Sequence, residues 1–345
     1  MQSLLTKQSH NTQRRSNQPR QFSTNLMSEI TSNAVLDAAL AEISKRREED
    51  KDSSDIWELR RHWQAHKHII REQLLAGIYY LSPVDHFGYK NGHALTRWSE
   101  QDAVVLKAMS TVLTPIITDR IDTRCHHVKG NGGLKGAVNS IRAHLQDSEN
   151  QFKFVVKSDI ADFYASTSHE VLLEQCAKIF KDTRVLDVLQ QYMNRVEVRE
   201  GEHDLISIGI AKGCPLSPLM GALMLKSLDK MIPTDCAYAR YMDDWVILTP
   251  TRRRLRQVVK NMHGIVHRLK YKLAFNKTFI GRIERGFDFL GYRLGANGQI
   301  GLAKQTILNH WNKLSRLYEQ SASDQCVREY KTNWLRWVGA GLTLC

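Results

Sequence analysis

Between residues 152 and 300, short apolar runs alternate with segments of helical period. Phe152-Lys-Phe-Val-Val-Lys-Ser158 is a β-rich run ending at Asp159, which predicts a buried strand. Ala237-Tyr-Ala-Arg-Tyr-Met-Asp-Asp-Trp-Val-Ile-Leu-Thr249 is an apolar run, two adjacent acids and a second apolar run. It predicts strand, tight turn and strand, with Asp243 and Asp244 at the tip. Thr167-Ser-His-Glu170 is a capping box that opens an amphipathic helix. Further helices are predicted over 134–145, 219–228 and 251–270. In the last, Leu255, Val258, Val259, Met262, Ile265, Val266 and Leu269 form one apolar stripe. Segment 196–210 reads as a hairpin turning at Glu200-Gly-Glu202.

Toward the N-terminus the pattern fades. Residues 1–33 are rich in Ser, Asn, Gln and Arg, with no acid before Glu29, and are expected to form a disordered basic arm. That stretch reads as an RNA-binding arm or as an upstream extension with Met27 the natural start; its likeness to a mitochondrial presequence is faint. Residues 34–80 are helical, interrupted by a charged linker at 45–55. Two helices carrying Trp311, Trp334 and Trp337 occupy 301–345.

Composition adds a partner. The chain carries 49 Lys and Arg against 36 Asp and Glu, a net charge of +13, which suits a phosphate backbone. A membrane surface would also attract such a charge, but the sequence has no run of 18 apolar residues to span one. The six cysteines are scattered and read as reduced thiols of a cytoplasmic protein. Cys125-His126-His127 invites a metal site, yet adjacent side chains rarely ligate one ion and no second pair completes it. Around the 251–270 stripe, Arg252, Arg253, Arg254, Arg256, Lys260, Arg268 and Lys270 read mostly as an ordinary solvated face.

Chemistry concentrates on the acids. Two neighbouring carboxylates on a rigid hairpin are costly unless something positive sits between them. Oxygen ligands select Mg²⁺, with Mn²⁺ as a substitute. Asp159, ending a strand just before a helix, supplies a third carboxylate, and such a set serves two-metal phosphoryl transfer.

Taken in order, these blocks resemble the reverse transcriptases, specifically the bacterial group II intron-like lineage. The likeness rests on Asp159-Ile-Ala-Asp-Phe-Tyr164, Gly209-Ile-Ala-Lys-Gly-Cys-Pro-Leu-Ser-Pro218, Tyr241-Met-Asp-Asp244, Leu273-Ala-Phe-Asn-Lys-Thr278 and Phe287-Asp-Phe-Leu-Gly-Tyr292. It implies an α+β right-hand polymerase fold: fingers at 81–150, a palm at 151–300 with 168–210 partly in the fingers, a short helical thumb at 301–345, and 34–80 as a helical N-terminal extension. Asp159, Ile160, Asp243 and Asp244 become the metal set, and Asp159, Asp243, Asp244 and Lys277 the catalytic set. Asp162, Ile160 and Gly213 are implied as nucleotide contacts. Lys90 and Arg97 are nominated for the triphosphate, although Gly88-Tyr-Lys-Asn-Gly-His-Ala-Leu-Thr-Arg97 replaces the family's arginine-rich segment. Lys212 is nominated as a point charge on a phosphate. Tyr164 becomes the sugar gate that favours dNTPs. Phe289, Leu290 and Gly291 become the primer grip. Read alone, Tyr164 is also open to being a core aromatic, and Lys277 a solvated loop lysine. The glycine-rich loop before 134–145 nominates Lys129 and Lys135 for nucleic acid.

One departure matters: Ala211-Lys212 stands where the family has Pro-Gln, and a lysine cannot reproduce an amide's donor–acceptor pair. The implied activity is RNA-directed DNA synthesis with two Mg²⁺ ions. Implied partners are dNTPs, a structured RNA template and the DNA product, with a second copy or a partner protein also open. A stand-alone bacterial element such as antiphage defence is the expected setting. Two other readings stay open: a template-independent or RNA-synthesising polymerase on the same palm, and a non-catalytic RNA-binding splicing helper.

Overall fold

The computed structural model describes residues 25–47, 54–90, 93–147, 149, 151–298 and 300–339, with the backbone alone at 54, 86–90 and 93–95. Four helices come first: α1 (Leu26–Ile30), α2 (Asn33–Arg46), α3 (Ser54–Arg61) and α4 (Trp63–Ala76). Hairpin β1 (Val84–Lys90) and β2 (His93–Arg97) leads into α5 (Glu100–Thr118), and a loop connects to α6 (Gly133–Gln146). Next come β3 (Phe154–Ser158), the single turn α7 (Phe163–Ser166), α8 (His169–Ile179), α9 (Thr183–Met193) and hairpin β4 (Val196–Arg199), β5 (Glu202–Leu205). Helices α10 (Ser217–Met224) and α11 (Lys226–Lys230) precede β6 (Ala237–Tyr241), β7 (Asp244–Thr249) and α12 (Arg252–Arg268). The chain ends in β8 (Phe279–Arg282), β9 (Phe287–Phe289), β10 (Tyr292–Leu294), β11 (Ile300–Leu302), α13 (Lys304–Glu319) and α14 (Asp324–Gly339).

The palm is an antiparallel sheet in the order β6-β7-β3-β8. Alternate side chains leave opposite faces of a strand, so each face has its own core. Val156, Trp245 and Ile247 join Leu255, Val258 and Met262 of α12. On the other face, Val155, Val246 and Leu248 join Ala137, Val138 and Ile141 of α6. Helix α6 was expected in the fingers; its apolar stripe seats it on the palm instead. A second sheet, β2-β1-β4-β5, pairs β1 with β4 in parallel, so the 196–205 hairpin joins the fingers strands.

Two boundaries differ from expectation. Helical structure begins at Leu26, where Asn25 accepts a hydrogen bond from the Ser28 N–H. Leu26, Met27 and Ile30 are buried, and the Met27 N–H donates to Asp182 at 2.9 Å. Three large apolar side chains packed so closely along the chain give this stretch enough burial to fold, so the arm expected over 1–33 does not extend past Asn25; residues 1–24 lie outside the described residues. The helix expected over 219–228 is divided at the fully buried Leu225. Much of the 45–55 linker also lies outside the described residues.

The thumb is α13 and α14, joined by a small core of Leu314, Leu317 and Val327. His310 stacks on Trp334 with centroids 3.8 Å apart. Lys135 of α6 reaches this unit. Its ammonium donates to the Tyr292 hydroxyl at 2.6 Å and to the Trp337 carbonyl, and it lies over both rings. Among the described residues, no helix is long and apolar enough to cross a membrane.

Candidate active site

Register builds the site. Ser158 of β3 faces Trp245 of β7, so Asp159 leaves the strand opposite Asp244. Tyr241 pairs with Asp244, leaving Met242 and Asp243 as a two-residue turn. Segment 272–274 then runs antiparallel beside 159–161: Ala161 N donates to Lys272 O at 2.9 Å, and Ala274 N to Asp159 O at 2.8 Å. A single 3₁₀ turn, Phe275–Lys277, follows and swings Lys277 back, so its ammonium meets Asp159 at 3.1 Å.

Charge is concentrated here. Burial, and then the charge of Asp159, raises the Asp243 carboxyl above the usual carboxylate range. Burial pushes Asp244 up to about 7, against the pull of Lys157 at 3.6 Å. Burial lowers Lys277, but the hydrogen bond and charge of Asp159 outweigh it, with Asp243 and Asp244 adding to the rise. One buried oxygen of Asp159 and one of Asp244 accept no hydrogen bond. Oxygens left without donors, in a cluster where the charge of Asp159 helps raise both Asp243 and Asp244, fit a hard divalent cation. Among the described residues, no three ligating side chains converge on one point; Asp159 and Asp243 both act on the Asp244 carboxyl, which also pairs with Lys157 at 3.6 Å. Ile160 is buried beside them and pairs with Leu273.

Tyr164 stands in the short α7, half-buried, its hydroxyl pushed up to about 12 by burial and by the charge of Asp243. The loop of the second block fixes its backbone. Ile210 N donates to Tyr164 O at 2.7 Å, and Gly209 N to Thr167 O at 2.8 Å. Gly209 has φ +93, and a Cβ there would stand 2.8 Å from the Ala165 carbonyl oxygen. Beyond it, Lys212 and Gly213 are exposed, and Thr96 of β2 donates to the Lys212 carbonyl at 3.1 Å.

Not every nominated residue gathers here. Asp162 has φ 47 and stands exposed at the start of α7. Arg97 pairs with Glu100 at 2.7 Å, and the Lys90 side chain lies outside the described residues. Lys129 is exposed on its loop. Lys135, nominated for nucleic acid, is instead held between Tyr292 and Trp337. Phe289 is fully buried in the α6 core. Leu290 and Gly291 form the β9–β10 turn with positive φ, and the Gly291 carbonyl accepts from Ala303 N and the Thr306 hydroxyl, tying that turn to α13.

Sequence reasoning missed the brace behind the catalytic turn. Met242 has φ 57, a strained value for a residue with a side chain. His127 accepts the Met242 N–H at 2.9 Å, and Arg240 donates to the Met242 carbonyl at 2.8 Å. With Nδ1 accepting, Nε2 carries the proton and donates to Pro218 O at 3.1 Å. Burial, and then Arg240, lowers His127 to about 4, which keeps the ring neutral. Arg240 is itself fully buried against Asp229, with contacts of 2.7 and 2.6 Å. The Cys-His-His triplet was the signal; its role becomes visible only when segment 124–126 pairs with Arg240.

The model of the family described as reverse transcriptase (RNA-dependent DNA polymerase) matches residues 99–294. At 22% identity over 267 residues, the chain is similar to protein YkfC of Escherichia coli (strain K12), covering 66% of this chain and 70% of that one. It is 21% identical over 184 residues to an uncharacterized 91 kDa protein in the cob intron of Schizosaccharomyces pombe, covering 53% of this chain but 22% of that one. Among solved structures, the apo telomerase of Candida tropicalis truncated from the C-terminal domain aligns with a TM-score of 0.51 and 15% identity, over 64% of this chain and 56% of that one. Telomerase from Candida albicans with a fragment of telomeric RNA aligns at 0.50 and 15%, over 69% and 48%. The chain thus spans about half of these telomerase chains. At such identity the likeness concerns the fold, which is the right-hand polymerase fold.

Proposed function

We propose a specific activity for this chain, which belongs to the reverse transcriptase (RNA-dependent DNA polymerase) family: it copies RNA into DNA by adding dNTPs to a primer 3′-hydroxyl. The observation that carries this reading is the meeting of Asp159, Asp243 and Lys277 at one end of the palm sheet, with Tyr164 beside them. Asp159 and Asp243, with Ile160, would hold two Mg²⁺ ions, and Asp244 would act from the outer edge. Bound there, the ions supply positive charge to the attacking oxygen and to the leaving pyrophosphate.

The protein's own residues do the rest. Lys277 holds a proton beside the acids and can give it to the departing pyrophosphate. Tyr164 offers a rigid ring where the sugar lies, and its bulk disfavours a 2′-hydroxyl. Lys212, exposed at the fingers–palm seam, presents a point charge to a phosphate. Leu290 and Gly291, fixed to the base of the thumb, position the primer end. An RNA template with structure of its own, in a bacterial element such as antiphage defence, is the context we put forward. Sequencing the nucleic acid that co-purifies with and without phage infection tests that context.

Asp243→Ala combined with Asp244→Ala is expected to abolish dNTP incorporation while circular dichroism keeps its native form, because the acids act as a unit. Undiminished incorporation by this double variant sinks the assignment. Tyr164→Ala is expected to raise use of GTP relative to dGTP, read as a ratio of kcat/KM on one template.

A further inference from the structure

We propose that the solvent face of α12 is a second nucleic-acid surface, a phosphate-binding ridge on the back of the palm that holds RNA outside the catalytic cleft. The idea rests on the reading that RNA is this chain's template. The helix has two unlike sides. Leu255, Val258, Met262, Ile265 and Val266 are buried in the palm, which fixes the rotation of the helix. Opposite them, Arg252, Arg256 and Lys260 repeat every fourth residue and are exposed, with His267 continuing the row. Such residues stand about 6 Å apart along a helix, a spacing suited to successive phosphates of one strand. A parallel row of Arg253, Gln257, Asn261 and Arg268 is also exposed; amides and guanidinium groups are the usual partners of phosphate and sugar oxygens.

The electrostatics argue against a merely solvated face. An ordinary surface helix intersperses both signs. Helix α12 holds no acid in its whole length, RRRLRQVVKNMHGIVHR. Its arginines begin at the N-terminal turn, where the helix dipole is positive and cations are unfavourable. Neighbours at i and i+4 repel as well. Asp235 answers Arg254, and Glu170 answers Lys270 just beyond the helix. Among the described residues, no ion pair relieves Arg252, Arg253, Arg256, Lys260 or Arg268. A polyanion laid along the ridge would relieve all of them together.

Geometry favours RNA over a lipid surface. A helix that lies on a membrane turns an apolar face to it, whereas the apolar face of α12 is inside the palm, and none of the exposed large apolar side chains lies on this helix. The ridge also leads to the site. Past its C-terminal end, Tyr271 bonds Thr167 and Lys272 O accepts from Ala161 N. The ridge therefore runs about 25 Å from the rear of the catalytic end, where RNA leaving the cleft can follow it.

The test compares the full native chain with the R252E/R253E/R256E/K260E variant, using a fluorescein-labelled hairpin RNA across a salt series. Affinity is expected to fall at least about tenfold, and the log–log salt slope to flatten by about 0.7 for each phosphate no longer neutralised. Acids at a helix N-terminus are favourable, so the melting temperature is expected to hold or rise, which separates the result from misfolding. Extension of a short primed template confined to the cleft is expected to be unchanged. Unaltered RNA affinity and slope overturn the proposal. So does an equal loss on the short template, which would place the effect in the cleft. Binding to phosphatidylserine vesicles that depends on these arginines, with RNA binding insensitive to them, assigns the ridge to a membrane instead. If the chain extends no primer at all yet binds RNA through the ridge, the ridge stands and the polymerase reading fails.

Discussion

Met242 is held at both its backbone atoms, and its neighbour Asp243 inherits that rigidity. Replacing His127 by Ala leaves a buried N–H without an acceptor, at a cost of about 1–3 kcal/mol. The expected outcome for His127→Ala is a fall in kcat with KM for dNTP little changed, because the turn, not the nucleotide pocket, loosens. His127→Gln, whose amide can both accept and donate, is expected to recover part of kcat; steady-state kinetics on one primed template read both. Asp244 gives a second check. Its carboxyl titrates near 7 in the folded chain against an ordinary 3.8, so the folded state holds a proton that the unfolded state releases. The contribution of this group to stability is then fully present below about pH 4 and is lost as pH rises through about 7. In a chelating buffer the melting temperature is expected to fall across that window through this group, and Asp244→Asn to flatten the fall.

At the scale of elements, legibility followed periodicity. The 251–270 stripe and the 237–249 hairpin were readable because apolar alternation and helical spacing are local properties, and both elements formed where expected. Asp159 and Asp243 were readable as candidates because each ends a patterned segment, and Lys277 only through the family resemblance, though their meeting depends on register. The brace was not readable. His127 and Met242 are far apart in sequence, and the Cys125-His126-His127 triplet carries no periodic signal that names its partner. Nor was the seating of α6 on the palm, since an amphipathic helix declares that it has an apolar face but not which sheet receives it. The contact of the second block with α7 is a third case. Gly209 touches the backbone beneath Tyr164 so closely that Gly209→Ala must push the two segments apart. With a positive φ added, the substitution is expected to cost about 1–3 kcal/mol in denaturant unfolding, and to relax dGTP preference over GTP more than that loss explains.

Across the whole molecule, one set of contacts unites parts that the chain builds far apart. Helix α1 is pinned to the start of α9 through Asp182, the fingers hairpin touches the Lys212 loop, and the β9–β10 turn is tied to α13. The thumb seam combines several contacts: Tyr292 stacks on Trp337 and donates to its carbonyl at 3.0 Å, Thr306 of α13 donates to Gly291, and the Lys135 ammonium of α6 lies over both aromatic rings. Lys135→Met keeps the stem but removes the charge-assisted bonds, each worth about 1.5–3 kcal/mol. The outcome expected is shorter products in a single-encounter extension assay with a trap, while the rate of the first addition is unchanged. A thumb held in part by one reversible ammonium contact can loosen its hold on a duplex without unfolding anything. How long the enzyme stays on one strand before drifting away then depends in part on that contact's lifetime, and a chemical mark that neutralised the Lys135 amine would shorten the journey without touching the chemistry at each step.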